Sequence, residues 1–373
     1  MERKQKKPIL RDLKKKMVFL AGPRQAGKTT LSKEIAKEFS SYLYLTYDRL
    51  EDRKVILEEG WLPSTELIIL DEIHKMDQWK NYLKGVYDTK HPDQKILVTG
   101  SARLEIFTEV GDSLAGRYFL HRLFPLSPVE CEFANVPYTI DRFLKRGGFP
   151  EPFLTSDATD AARWRHQYTE SLLHTDVLDF DNIQNVNAIR LVFELLRSRV
   201  GSPLSFTSIA EDVAISPNTV KKFIQILEAL YVIFRVTPYS KNIARSLLKE
   251  PKIYFFDTGL VKGDDGIKFE NFVANCLLKH THARIDYHGE PYSLRYLRTK
   301  ERHEVDFALV NDEAIEKMIE VKHRDHSVSS GLRYFHEKYQ IPAIQLVKEL
   351  KNERLDKGIE IQKGIHFLKT LDL

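Results

Sequence analysis

Gly22-Pro23-Arg24-Gln25-Ala26-Gly27-Lys28-Thr29 follows the apolar run Met17-Val18-Phe19-Leu20-Ala21 and opens a helical pattern from Thr30-Leu31 to Phe39. Strand, glycine-rich turn and helix, in that order, are the setting a phosphate-binding P-loop requires. The glycines let backbone N–H groups turn inward and hold phosphate oxygens at a helix N-terminus. In this reading Gly22, Pro23, Arg24, Gln25, Ala26, Gly27, Lys28, Thr29 and Thr30 surround the phosphates of a nucleoside triphosphate. Lys28 reaches the β- and γ-phosphates, and the Thr29 hydroxyl holds Mg²⁺.

Two further strand ends fit the same chemistry. Leu67-Ile68-Ile69-Leu70-Asp71-Glu72 is a buried-strand pattern closing on two carboxylates. Asp71 is expected in the Mg²⁺ shell, and Glu72 is expected to orient or deprotonate the attacking water. Lys95-Ile96-Leu97-Val98-Thr99-Gly100-Ser101 ends in small polar residues. Ser101 is the first choice to contact the γ-phosphate or the water, with Thr99 its competitor. Ligands of open α/β sheets sit beyond the carboxyl ends of the strands, where these three tips converge. Arg117, in Ser113-Leu114-Ala115-Gly116-Arg117, is read as neutralising transition-state charge, in cis or across a subunit interface, or else as a surface arginine. Arg103 is a weaker choice.

The chain has 373 residues, 42% of them apolar and 11% aromatic, a globular composition long enough for two or three domains. No apolar run approaches the length of a membrane span, and the N-terminus lacks an apolar signal core. A soluble, cytoplasmic protein without a membrane partner is expected. Cys131 and Cys276 lie far apart without metal-ligand spacing and read as buried thiols. The net charge of +4 implies no global pull toward nucleic acid. Residues 1–16, with eight Lys/Arg and two acids, are read as a solvated, mobile run, a phosphate-binding arm being the alternative.

Strand and helix patterns alternate from Met17 to about Leu126, predicting an α/β domain with a doubly wound parallel sheet. Tyr42–Tyr47 and Tyr118–Phe124 supply the remaining strands, with helices near Leu50–Glu59 and Gln78–Asp88. After the turn cluster Gly147–Pro152 the pattern is helical. Ser205–Ala214 and Asn218–Tyr231, joined through Ile215-Ser216-Pro217, read as a helix–turn–helix, with Tyr231–Val236 as a β-wing. Such a module docks DNA or protein. The expected division is 1–135, 136–262 and 263–373.

The last region opens with a helix whose core stripe is Phe269, Phe272, Val273, Cys276 and Leu277, with Glu270 beside it. Short strands are predicted at Arg284–Tyr287, Leu294–Leu297, His303–Val310 and Met318–His323. Asp306 lies between Val305 and Phe307, while Glu320 and Lys322 bracket Val321 and share one strand face. If the two strands pair, these three charges meet. Two carboxylates beside an ammonium suit either a structural salt bridge or a Mg²⁺ site, with Asp306 and Glu320 as ligands and Lys322 helping generate hydroxide.

The whole chain resembles the archaeal and bacterial AAA-type ATPases with a C-terminal restriction-endonuclease-like domain. The resemblance rests on Gly22–Thr30, Leu67–Glu72, Val98–Ser101, Gly116-Arg117 through Ser127, Gly147–Pro150, Lys252–Gly259, Phe269–Asn271, Glu304–Phe307 and Ile319–Lys322. It implies an ATPase core, a helical and winged-helix middle and a small nuclease-like α/β end. It carries Lys28, Thr29, Asp71 and Glu72 over as the ATP and Mg²⁺ residues, and Asp306, Glu320 and Lys322 as a nuclease triad. No proline–aspartate pair precedes the second acid; Asp306 stands with Glu304 on its strand face. Two functions follow: a Mg²⁺-dependent ATPase coupled to a DNA-acting, nuclease-like domain, or a nucleotide-dependent switch that binds protein or nucleic acid without cutting. An oligomer fits either.

Overall fold

In the computed structural model, which describes residues 1–100, 114–173, 177, 185–240, 250–324 and 327–372, the chain forms two compact units, Met1–Phe124 and Pro125–Leu373. The N-terminal unit is built on strands β1 (Met17–Ala21), β2 (Tyr42–Thr46), β3 (Leu67–Asp71), β4 (Lys95–Thr99) and β5 (Tyr118–Arg122). They lie in the order β2-β3-β4-β1-β5, and every neighbouring pair runs parallel. Among the described residues they are accompanied by helices α1 (Lys6–Leu13), α2 (Lys28–Ala36), α3 (Leu50–Leu57) and α4 (Trp79–Thr89).

Both faces of this sheet are covered, so β1 and β3 are buried along their whole length. Alternation along β1 sends Met17, Phe19 and Ala21 to a core shared with Trp79, Leu83 and Val86 of α4. Val18 and Leu20 face the opposite core, with Leu31 and Ile35 of α2 and Ile9 and Leu13 of α1. The opening segment is therefore not wholly a solvated run. Ile9 and Leu13, one turn apart, anchor it, and the buried Asp12 carboxylate lies 3.0 Å from His121 Nε2 of β5.

The C-terminal unit combines helices with an eight-stranded mixed sheet. Its strands are β6 (Ile233–Pro238), β7 (Lys252–Phe255), β8 (Tyr292–Arg298), β9 (Glu304–Asn311), β10 (Ala314–Arg324), β11 (Ala343–Glu349), β12 (Arg354–Asp356) and β13 (Ile359–Lys363), in the order β12-β13-β11-β10-β9-β8-β6-β7. Helices Phe206–Val213 and Pro217–Ala229 precede β6. Ser216 caps the second by accepting from the Thr219 N–H at 3.1 Å. The strand after this helix pair is not a free-standing wing: β6 pairs with β7 on one side and, parallel, with β8 on the other. The boundary expected near residue 262 thus falls between strands of one sheet.

One predicted strand is corrected. Arg284–Tyr287 lies in the helix Asp265–His288. The buried series that begins at Phe269 continues to Ala283, and Arg284 is held by Glu290 at 2.9 Å and Asp372 at 2.9 Å. The helix ends only at Gly289, whose φ of +69° suits a left-handed cap.

Candidate nucleotide site and a buried ion cluster

The turn after β1 can be made only with a glycine at its start. Gly22 has φ +145°, and a Cβ there would fall 2.2 Å from the Leu123 carbonyl oxygen. Gly27, at φ +99°, leads into α2. Lys28 is folded back across the loop, its ammonium donating to the carbonyls of Gly22 at 2.9 Å and Pro23 at 2.8 Å. Burial lowers its pKa to about 8, while Glu72 and Asp71 pull the other way. Arg24, Gln25, Thr29 and Thr30 are exposed, leaving the outer side of the loop open.

Asp71 ends β3 beside Thr99, its partner in register on β4. The Thr99 hydroxyl donates to Asp71 Oδ1, and the Tyr44 hydroxyl of β2 donates to Asp71 Oδ2. Burial first, then the hydrogen bond to Asp71, hold the Tyr44 hydroxyl in the protonated form. Glu72 has φ +57°, a left-handed turn that takes the chain off the strand. Its N–H donates to the Thr99 carbonyl at 2.9 Å. Burial raises the Glu72 pKa, against the pull of Lys75 and Lys28.

Lys28, Thr29, Asp71, Glu72 and Thr99 therefore share the carboxyl edge of the parallel sheet. The oxygen donors of Thr29 and Asp71 fit Mg²⁺, which takes one or two carboxylates together with phosphate oxygens and water. When bound, the ion neutralises phosphate charge. Ser101 and Arg103 lie outside the described residues, and Thr99, the competitor, is committed to Asp71.

Arg117 is elsewhere. It precedes β5, its carbonyl accepts from the Met17 N–H at 3.1 Å, and its guanidinium grips Asp88 at 2.9 and 3.0 Å. That is the amino edge of the sheet. The five residues of β1 separate it from the P-loop, roughly 16 Å of extended chain. The expectation that Arg117 serves this P-loop in cis is corrected.

Two residues near the loop carried no sequence signal. Arg3 is 6% exposed and donates to the Ala26 carbonyl at 3.1 Å and the Phe124 carbonyl at 2.6 Å, fixing the loop's outer peptide. Tyr44 is the other. Groups that orient a metal ligand are commonly worth tenfold or more in metal affinity. Tyr44→Phe should therefore raise by roughly tenfold the Mg²⁺ concentration that supports binding of fluorescent ATP. An unchanged requirement would show that Tyr44 does not position Asp71.

In the C-terminal unit the predicted trio does meet. β9 and β10 pair antiparallel with Ile319 opposite Phe307, which sets Asp306 beside Glu320. Asp306 Oδ2 accepts from the Val321 N–H at 3.0 Å, and Lys322 Nζ donates to Glu320 Oε1 at 2.8 Å. A second lysine, not anticipated, enters the cluster from β7. Lys252 is 1% exposed, with its ammonium 2.8 Å from Glu304, 3.4 Å from Asp306 and 3.9 Å from Glu270. Tyr254 donates to Glu270 at 2.7 Å.

Burial and Asp306 push Glu270 up to about 8 and Glu320 up to about 7. Among the described residues, no group of three or more His, Cys, Asp or Glu side chains is arranged to hold a metal. Asp306 lies beside the Lys252 ammonium and Glu320 beside that of Lys322. The one available hint was a lysine opening the apolar run Ile253-Tyr254-Phe255-Phe256.

A five-stranded parallel sheet with a glycine-containing loop after β1 and an acidic pair after β3 is the arrangement of a P-loop α/β fold. Residues 14–132 match the family model of an AAA domain. Residues 138–268 and 265–367 match two further families, each described as a domain of unknown function (DUF8612 and DUF4143). An uncharacterized protein of Mycobacterium tuberculosis is 28% identical over 250 residues, covering 66% of this chain and 55% of that protein. One of Methanocaldococcus jannaschii is 24% identical over 292 residues, covering 68% and 64%.

The chain thus spans little more than half of the mycobacterial relative, 55%. Among solved structures, a Walker-type ATPase of Pyrococcus abyssi aligns with 69% of this chain and 93% of its own, at 14% identity and a TM-score of 0.44. A RuvB variant of Thermotoga maritima aligns with 62% and 88%, at 18% identity and a TM-score of 0.32. Among the described residues, no helix is long and apolar enough to cross a membrane.

Proposed function

We propose that this chain is a Mg²⁺-dependent ATPase whose nucleotide state controls its C-terminal unit. The observation that carries the reading is the gathering of Lys28, Thr29, Asp71 and Glu72 at one sheet edge, on a loop whose backbone leads into α2. On ATP binding, the Lys28 ammonium leaves the Gly22 and Pro23 carbonyls for phosphate oxygens, and the α2 N-terminus adds its own N–H groups. Asp71 is held in place by Tyr44 and Thr99, while Glu72 accepts a hydrogen bond from the attacking water. ATP turnover measured as phosphate release should require Mg²⁺ and vanish in Lys28→Ala. Undiminished release from that variant would remove the site from the reaction.

For the C-terminal unit, Lys252 favours binding without cutting over nucleolytic cleavage. An ammonium among Glu304, Asp306 and Glu270 already supplies much of the counter-charge a divalent ion would bring. Duplex and single-stranded DNA incubated with the protein and Mg²⁺ or Mn²⁺ should remain intact. Metal-dependent cleavage that disappears in Asp306→Ala or Lys322→Ala would favour the nuclease reading instead.

A further inference from the structure

We infer that the amino edge of the five-stranded sheet carries a pocket for the phosphate groups of a nucleic-acid backbone. A cavity of about 100 Å³ there is lined by Lys14, Lys15, Lys16, Lys90, Lys95 and Tyr87, among others. The lysines come from three places far apart in sequence: the end of α1, the end of α4 and the start of β4. Only the fold makes them neighbours.

These ammonium groups are short of counter-charge. Among the described residues, none of the five is ion-paired with a carboxylate. Lys16 lies 4.9 Å above the Phe119 ring and Lys90 5.7 Å above the Tyr87 ring, while Lys90 donates to the His91 carbonyl at 3.4 Å and Lys95 to the Asp93 carbonyl. Two of the acids nearby are engaged elsewhere, Asp88 by Arg117 and Asp12 by His121 and Arg11, and the third, Asp93, is largely exposed to solvent. Burial and the approach of Lys95 both disfavour the charge on Lys90, with Asp93 opposing. Like charges crowded into a concavity are relieved when an anion enters.

Lysine binds phosphate as a point charge, without the planar fork by which arginine grips one fixed anion. The pocket's cations are all lysines, and Lys14 and Lys15 are exposed, extending the positive strip beyond the cavity. A strip of movable ammonium groups suits repeated phosphates along a strand better than a single small anion. Tyr87 offers a ring at the same place. The site is separate from the P-loop, which lies at the other end of β1.

The test is fluorescence anisotropy of labelled single-stranded and duplex oligonucleotides with the full chain at rising salt. The double variants Lys14→Glu/Lys15→Glu and Lys90→Glu/Lys95→Glu should each weaken binding roughly tenfold or more and make the salt dependence shallower by about one to two phosphate contacts. ATP turnover without DNA should be unchanged, because none of these residues belongs to the nucleotide site. Unaltered affinity and salt slope in both variants would overturn the inference. So would wild-type protein that binds inorganic pyrophosphate through these lysines but no oligonucleotide. ATP binding is measured separately, so failure here is distinguishable from failure of the ATPase reading.

Discussion

Glu72→Gln is expected to leave the affinity for Mg²⁺–ATP nearly unchanged, and to lower turnover measured as phosphate release by roughly a hundredfold or more, the usual contribution of a positioned proton acceptor. The amide keeps the shape of the side chain and its left-handed turn, so the phosphate cradle survives. What it loses is a negative oxygen able to align water. Glu72 also fixes a sign for pH dependence. Burial raises its pKa above the ordinary 4.5, so the carboxylate is lost to protonation at a higher pH than an exposed glutamate's. Turnover should fall as acidity carries the pH down through that raised value, and Glu72→Gln should lack this limb in its residual rate. If turnover survives the substitution, another group handles the water.

Lys252→Met should cost the C-terminal unit about 3 kcal/mol, near the lower end for removing one partner of a buried ion cluster. Methionine matches the stem of lysine but leaves Glu304, Asp306 and Glu270 facing one another without this ammonium. On a unit of this size that loss lowers the unfolding midpoint by roughly 6–12 °C, measurable by scanning calorimetry. The double variant Lys252→Met/Asp306→Asn should lose less than the two single changes added together, since each removes part of the same network. Strict additivity would mean that Lys252 and Asp306 do not interact.

The candidate nucleotide site was legible because its parts are local. A strand, a glycine turn and a helix within about twenty residues need no distant partner to be recognised. The acidic pair at Asp71-Glu72 also follows its own strand, so chemistry and secondary structure coincide in one short segment. Period two on β10 likewise put Glu320 and Lys322 on one face, and pairing with β9 brought in Asp306.

What was hidden depends on contacts across long stretches of chain. Arg3 reaches Phe124, and Lys252 reaches Glu304 and Asp306, through packing that no periodicity encodes. The opening segment misled because its charge count masks two well-spaced apolar residues, Ile9 and Leu13. Arg117 misled for another reason. A glycine–arginine pair looks mobile and available until strand order shows which edge of the sheet it occupies. The predicted strand at Arg284–Tyr287 failed because a helix that keeps finding core contacts keeps going.

The central claim is tested most directly by isothermal titration of ATP with Mg²⁺ into the 373-residue chain and into its Lys28→Ala variant. The account predicts one molecule of ATP taken up per wild-type chain, with affinity reduced roughly a hundredfold in the variant, as expected when charge-assisted hydrogen bonds to phosphate are lost. Folded wild-type protein that takes up neither ATP nor ADP, or a variant that binds as tightly as wild type, would contradict it.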